Sequence, residues 1–239
     1  MSVENGEKSP GPLRLSKGIR EKYQGYSGAR PDVLKLVHGR PRKVLDIGTG
    51  AGILGRDLAA MLHGAYIIGV EPDPELAELA RSHMDEVVQG GIDDESTLKA
   101  IKNHAPFDLI VCADVLEHLP EPGVVLARLV DVLAEEGRII TSIPNVRHIS
   151  TFVDLALLGN WPSRTRGIHD STHLRFFTRK NILALGARAN LKPLKESRNL
   201  RIIESMAWTK IPAKILDFWP LRPFFTFQYL HVWKRVDDN

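Results

Sequence analysis

Cysteine is nearly absent: Cys112 is the single thiol in 239 residues. One thiol excludes an intrachain disulfide framework, the usual device of small secreted folds, and fits a reducing, cytoplasmic setting. Cys112 stands inside an apolar strand pattern, where a buried, reduced thiol is expected rather than a reactive one. Long apolar runs are missing too, so no segment approaches the length of a membrane span. The stretch Met1–Pro12 is polar with Gly and Pro, and reads as neither signal peptide nor anchor. Blocks of one charge sign are also lacking. Lys and Arg number 32 against 29 Asp and Glu, a net charge of +3 with the basic residues spread along the chain. That balance carries no strong nucleic-acid signature. Apolar residues, by contrast, make up 43% of the chain, ample for the core of one α/β domain at this length.

The chain reads as a flexible tail over 1–16 followed by a single domain over 17–239, with no internal repeat. Residues 17–42 form an N-terminal cap whose helical spacing breaks at Arg30-Pro31. Strand patterns at 43–48, 66–71, 86–89, 107–113 and 137–143 then alternate with helical patterns at 52–62, 74–84, 95–104 and 122–134. Alternation of this kind predicts a parallel sheet with helices on both faces and a ligand at the carboxyl ends of the strands. After Pro144 the rhythm breaks: 145–177 is irregular and rich in Asn, His, Arg and Trp, an insertion too long for a plain connection. A helix at 178–190, a strand region near 191–204 and a last strand at 225–234 follow. The aromatic segment 205–223 reads as a flap over the sheet edge, or as a platform for an apolar substrate or a membrane surface.

The chemistry begins at Lys43-Val44-Leu45-Asp46-Ile47-Gly48-Thr49-Gly50-Ala51-Gly52, with Ile68-Gly69-Val70-Glu71 one strand later. An apolar strand running into a glycine-rich turn, and a second strand ending in an acid, form half of a nucleotide-binding βαβ unit. Ile53 stands where a dinucleotide fingerprint has its third glycine, and Asp46 suits an ammonium better than a pyrophosphate. These residues resemble the first motif of the class I S-adenosylmethionine (SAM) methyltransferases. The resemblance implies a Rossmann-like, seven-stranded, mostly parallel sheet. It also implies a cofactor site of Asp46, Gly48, Gly50, Glu71, Pro72, Ile92 and Ala113, with Gly52 left to helix packing. Gly91 departs from the family, standing where an acid usually meets the adenine.

The fourth strand ends in Ala113-Asp114-Val115-Leu116-Glu117-His118. On a helical turn Asp114, Glu117 and His118 can face one way, three quarters of a divalent-metal site, with a fourth ligand sought in His169–Arg179. The pattern resembles ubiquinone-pathway O-methyltransferases and small-RNA 3′-end 2′-O-methyltransferases. Carried over, it implies Mg²⁺ held by Asp114, Glu117, His118 and His173, with Asp114 shorter by one methylene than the Glu of those groups. His118, His148 or His169 can serve as the base.

The pieces DVLEHLPEP, SIPNVRHIS, GNW and THLRFFTRKNI also resemble a bacterial branch of methyltransferases associated with polysaccharide and sugar tailoring. That resemblance implies a sugar hydroxyl as acceptor, with Trp161 stacking on the ring and Arg166 or Arg175 taking a phosphate or carboxylate. The expected activity is thus Mg²⁺-assisted O-methylation of a sugar or glycoconjugate. Three alternatives stand beside it: metal-independent transfer to a small molecule by a His base, RNA 2′-O-methylation, and SAM binding without turnover.

Overall fold

In the computed structural model, residues 28–203, 215 and 217–236 are described. The tail, the first part of the cap and much of the aromatic flap, Trp208 and Pro212 included, lie outside the described residues.

Strands β1 (Lys43–Ile47), β2 (Tyr66–Glu71), β3 (Glu86–Gln89), β4 (Phe107–Ala113) and β5 (Leu133–Pro144) run parallel. With β6 (Leu191–Leu200) and β7 (Thr226–Arg235) they form one sheet in the order β3-β2-β1-β4-β5-β7-β6. Only β7 is reversed, pairing antiparallel with β5 and β6. This is the seven-stranded, mostly parallel sheet that the methyltransferase resemblance implies.

Period-two alternation divides the central strands between two cores. Leu45, Ile110 and Trp233 pack on one face, while their neighbours Val44, Leu109 and Val232 pack on the other. The connecting helices are α1 (Pro31–Leu34), α2 (Ile53–Met61), α3 (Pro74–Ala80), α4 (Glu95–Lys102) and α5 (Pro122–Asp131). Three more follow: α6 (Ile149–Phe152), α7 (Arg179–Arg188) and α8 (Arg222–Phe225). No helix among the described residues is long and apolar enough to cross a membrane. Cys112 is buried in β4, and burial pushes its thiol well up from the ordinary range.

Several element bounds differ from the sequence reading: the helix expected at 74–84 ends at Ala80, and the strand expected at 191–204 ends at Leu200. Helix α5 stops at Asp131 and β5 begins at Leu133, because Leu133 pairs with Phe107 before a register shift brings Arg138 opposite Leu109. The insertion is not irregular throughout: α6 runs on into a π-helical turn, Val153–Leu157. Of the flap, Phe218 and Trp219 are exposed at the surface.

The chain runs outward from β1 through β2 to β3, then returns to lay β4 on the other side of β1. The loops after β1 and β4 therefore part, and a cleft opens at the carboxyl ends of the strands.

Candidate active site

The cleft is a cavity of about 1760 Å³. Its inner half is built by the loops after β1 and β2. Gly48 has φ +66, and a Cβ there would lie 2.7 Å from a Val115 methyl, so only glycine fits the turn. Gly52 has φ +79 and a Cβ would meet the Ala80 backbone at 2.9 Å, which makes it a packing glycine between α2 and α3. The N–H groups of Gly48 and Thr49 donate to the Val70 carbonyl at 2.8 and 3.1 Å, tying the loop to β2.

Glu71 is buried, and each of its carboxylate oxygens takes one backbone N–H: Gly50 at 2.8 Å and Asp73 at 3.0 Å. Burial raises its pKa despite those two bonds. Asp46 accepts from the Thr49 hydroxyl at 2.7 Å. Burial pushes its carboxyl up to about 7, against the Thr49 bond and the Arg30 charge. Asp46, Gly48, Glu71, Pro72, Ile92 and Ala113 all line the cavity. Gly50 is not among the lining residues; its N–H orients Glu71 instead. Several lining residues escaped the sequence reading, two of them charged groups beside the glycine loop and the third strand. Asp93 supplies an acid two positions past Gly91, and Arg30 supplies a cation. The break at Arg30-Pro31 was the one local signal for Arg30.

The outer half is built from the turn after β4 and from the insertion. Asp114 has φ +59, a left-handed turn that Asp tolerates better than most residues. Its carboxylate is taken by Arg30 at 2.5 Å and by the Gln228 amide. Arg30 also holds Asp32 at 3.1 Å and donates to Ser142 Oγ at 2.8 Å. Burial works against the Arg30 charge, but Asp114 and Asp32 outweigh it and raise the guanidinium pKa. Asp114, expected as a ligand beside Glu117 and His118, is drawn to Arg30 and stands outside the group that those two form with His173.

The other three residues meet. Glu117, His118 and His173 each offer a ligating atom, all within 4.8 Å of one another. Glu117 is 1% exposed, and among the described residues neither carboxylate oxygen has a hydrogen-bond partner. Its backbone carbonyl accepts from Leu174 and Arg175 N–H at 2.9 Å, which stitches the insertion to the β4 turn. Burial first, then the Asp114 charge, drives the Glu117 carboxyl well up. His173 places Nε2 3.9 Å from Glu117 Oε1, and the two imidazoles meet edge to face at 4.6 Å. Burial, then the neighbouring His173, lowers the pKa of His118. A buried carboxylate without a donor, facing two imidazoles, is costly alone and fits a cation.

The remaining candidates lie elsewhere. His148 is fully buried; its Nδ1 accepts from Ser150 N–H at 3.2 Å, capping α6, and its Nε2 meets the Arg201 carbonyl at 2.9 Å. His169 is buried against Thr151 Oγ1 at 3.1 Å, with Trp161 edge-on at 5.1 Å. Neither imidazole, expected as a possible base, is among the residues lining the cavity; both pack against the insertion. Trp161 also lies off the cavity, half-exposed, with its ring edge-on to His169 and Phe176. Arg175 is tied to the Pro120 carbonyl at 2.9 Å, whereas Arg166 lines the cavity.

A family model described as a methyltransferase domain matches residues 20–196, and the chain belongs to that family. A ubiquinone biosynthesis O-methyltransferase of Xylella fastidiosa (strain 9a5c) is 34% identical over 122 residues, which is 49% of this chain and 47% of that one. The corresponding protein of Aeromonas salmonicida is 27% identical over 157 residues, 63% of each chain. The chain thus spans about half to under two thirds of these relatives. Among solved structures it resembles the Burkholderia thailandensis 1,6-didemethyltoxoflavin-N1-methyltransferase with bound S-adenosylhomocysteine, at TM-score 0.55 and 22% identity over 91% of this chain and 82% of that one. It also resembles a Thermotoga maritima SAM-dependent methyltransferase, at TM-score 0.56 and 17% identity over 86% of each. At these identities the likeness is one of fold. These curated relatives carry ubiquinone names rather than the sugar-tailoring names that the insertion motifs pointed to.

Proposed function

We propose that the protein is a SAM-dependent O-methyltransferase whose acceptor is a hydroxyl beside a second oxygen, as in a sugar diol or a catechol. The observation that carries this reading is the unpartnered Glu117 carboxylate facing His118 and His173 at the mouth of a nucleotide-type cavity. The ubiquinone O-methyltransferase names of the relatives support transfer to oxygen.

SAM supplies an electrophilic methyl on a sulfonium. Glu71, held by two backbone N–H groups, keeps lone pairs for the ribose hydroxyls. Pro72 and Ile92 offer apolar sides to the adenine, with Asp93 near enough to the lining to accept from its amine. Asp46 suits the methionine ammonium and Arg30 its carboxylate. The walls of the cavity would hold the acceptor beside the methyl donor, and such positioning can supply a large share of the rate enhancement.

Glu117, His118 and His173 hold a divalent cation in this reading, which when bound lowers the pKa of the acceptor hydroxyl. The donor set refines the expected ion. Two imidazoles and one carboxylate are softer than the oxygen set Mg²⁺ demands, and suit Mn²⁺ or a later divalent ion better. The second reading is metal-free transfer with His118 as base, favoured by the burial that keeps its imidazole neutral at physiological pH.

Calorimetric titration of S-adenosylhomocysteine, Mn²⁺ and Mg²⁺ into the wild type and into Glu117→Gln and His118→Ala/His173→Ala tests both readings. The expected result is S-adenosylhomocysteine binding in all three proteins, with Mn²⁺ binding in the wild type alone. Cofactor binding with no response to either cation transfers the mechanism to His118, and absence of cofactor binding overturns both.

A further inference from the structure

The histidines of the outer site differ in what stands behind them, and the difference fixes where a proton sits. Behind His173, Nδ1 lies 3.0 Å from the Ile168 carbonyl, which can only accept. Behind His118, Nδ1 lies 3.0 Å from the Thr172 hydroxyl, a group able to donate or accept. Taken alone, that contact leaves the tautomer of His118 open.

Asp170 closes the question. Its Oδ1 accepts from the Thr172 backbone N–H at 2.9 Å and lies 2.6 Å from Thr172 Oγ1. A bond that short is typical of a hydroxyl donating to a carboxylate. With its one proton directed at Asp170, Thr172 Oγ1 has only lone pairs left for His118. The proton between them must belong to His118 Nδ1. The Thr172 carbonyl, an acceptor 3.3 Å from the same nitrogen, is too far away to fix the tautomer alone but favours the same direction. His118 then presents Nε2 as a lone pair, as His173 does, and Glu117 adds a third acceptor.

We propose that Asp170 and Thr172 are positioning residues that lock His118 in its Nδ1–H tautomer, so that Nε2 faces the site ready to take a cation or a proton. The proposal deepens the reading of Glu117, His118 and His173 as the chemical centre and rests on it. Hydrogen-bond partners behind a ligating imidazole set its orientation and basicity in metal sites generally. Here they come from the insertion, so this segment both lines the cavity and prepares the β4 turn.

The test reads the tautomer directly. Long-range ¹H–¹⁵N correlation spectra of ¹⁵N-histidine-labelled protein are recorded at alkaline pH without metal, with His118 assigned through His118→Gln. The wild type is expected to show His118 protonated at Nδ1, Thr172→Val a mixture of tautomers, and Thr172→Ser the wild-type pattern. Mn²⁺ affinity should fall about 10–100-fold in Thr172→Val and return in Thr172→Ser. Unchanged S-adenosylhomocysteine affinity certifies that each variant is folded. A wild type protonated at Nε2, or an identical Nδ1–H pattern in Thr172→Val, overturns the proposal. Wild-type protein with the expected tautomer but no Mn²⁺ binding removes the cation alone and leaves His118 positioned as a base.

Discussion

The Arg30 guanidinium holds the Asp114 carboxylate at 2.5 Å across 84 positions of chain, and so withdraws one acid from the cluster that follows β4. Arg30→Ala therefore has two expected effects. Stability falls by about 1 kcal/mol in urea denaturation, well short of the 3–5 of a buried pair, because solvent reaches the Asp114 side chain. S-adenosylhomocysteine binding weakens about tenfold or more, near 1.4 kcal/mol, through loss of the cation beside the glycine loop. A stability loss with intact binding removes Arg30 from the cofactor site.

Glu71→Gln changes charge and one donor while keeping shape. Both carboxylate oxygens now accept backbone N–H groups, so an amide must turn its NH₂ toward either Gly50 or Asp73. Leaving that donor pair unmatched should weaken S-adenosylhomocysteine about 10–100-fold, or 1–3 kcal/mol. Adenosine should lose as much, since the ribose is what Glu71 meets; if adenosine binding is unaffected, the ribose assignment is wrong.

His148→Ala separates packing from chemistry. The ring caps α6 through Ser150, clamps the Arg201 carbonyl and is fully buried, so the variant should lose about 2–4 kcal/mol of stability, a helix cap plus the cavity left by the ring. Thermal denaturation reads the loss, and calorimetry should find S-adenosylhomocysteine affinity unchanged. Abolished turnover in a folded His148→Ala would return the base to this position.

The cofactor half of the site was legible because its signals are local: a strand, three left-handed glycines in one loop (Gly48, Gly50 and Gly52) and an acid on the next strand lie within Lys43–Glu71. Glu117 and His118 were legible for the same reason, on one turn after β4. What failed was long-range. Arg30 reaches Asp114 through the tertiary fold, and no spacing rule links residues so far apart. His148 and His169 looked like bases because a loop histidine carries no mark of burial; Ser150, Arg201 and Thr151 decide their role. The α5–β5 boundary was misplaced because Leu133 suits either a helix end or a strand start, and only pairing with Phe107 selects the strand. Asp170-x-Thr172 was the missed local signal, a short side chain set to bond two residues onward.

Asp46 makes the site's pH dependence predictable in sign. Its carboxyl titrates near 7 in the fold against 3.8 when unfolded, chiefly because burial penalises the charge. Between those values the native state holds the extra proton, so this group's contribution to stability is greatest at low pH and declines as pH rises through that window. Binding runs the opposite way. A ligand ammonium favours ionised Asp46, so S-adenosylhomocysteine affinity should climb with pH up to about 7 and then level off. Below 7, binding should release a proton, seen as a calorimetric enthalpy that varies with the ionisation enthalpy of the buffer. Asp46→Asn should abolish the proton release, weaken the ligand, and be more stable relative to wild type at pH above 7 than at acid pH. An affinity that is flat across the window, with no buffer dependence, would mean that Asp46 is not the partner of the ammonium.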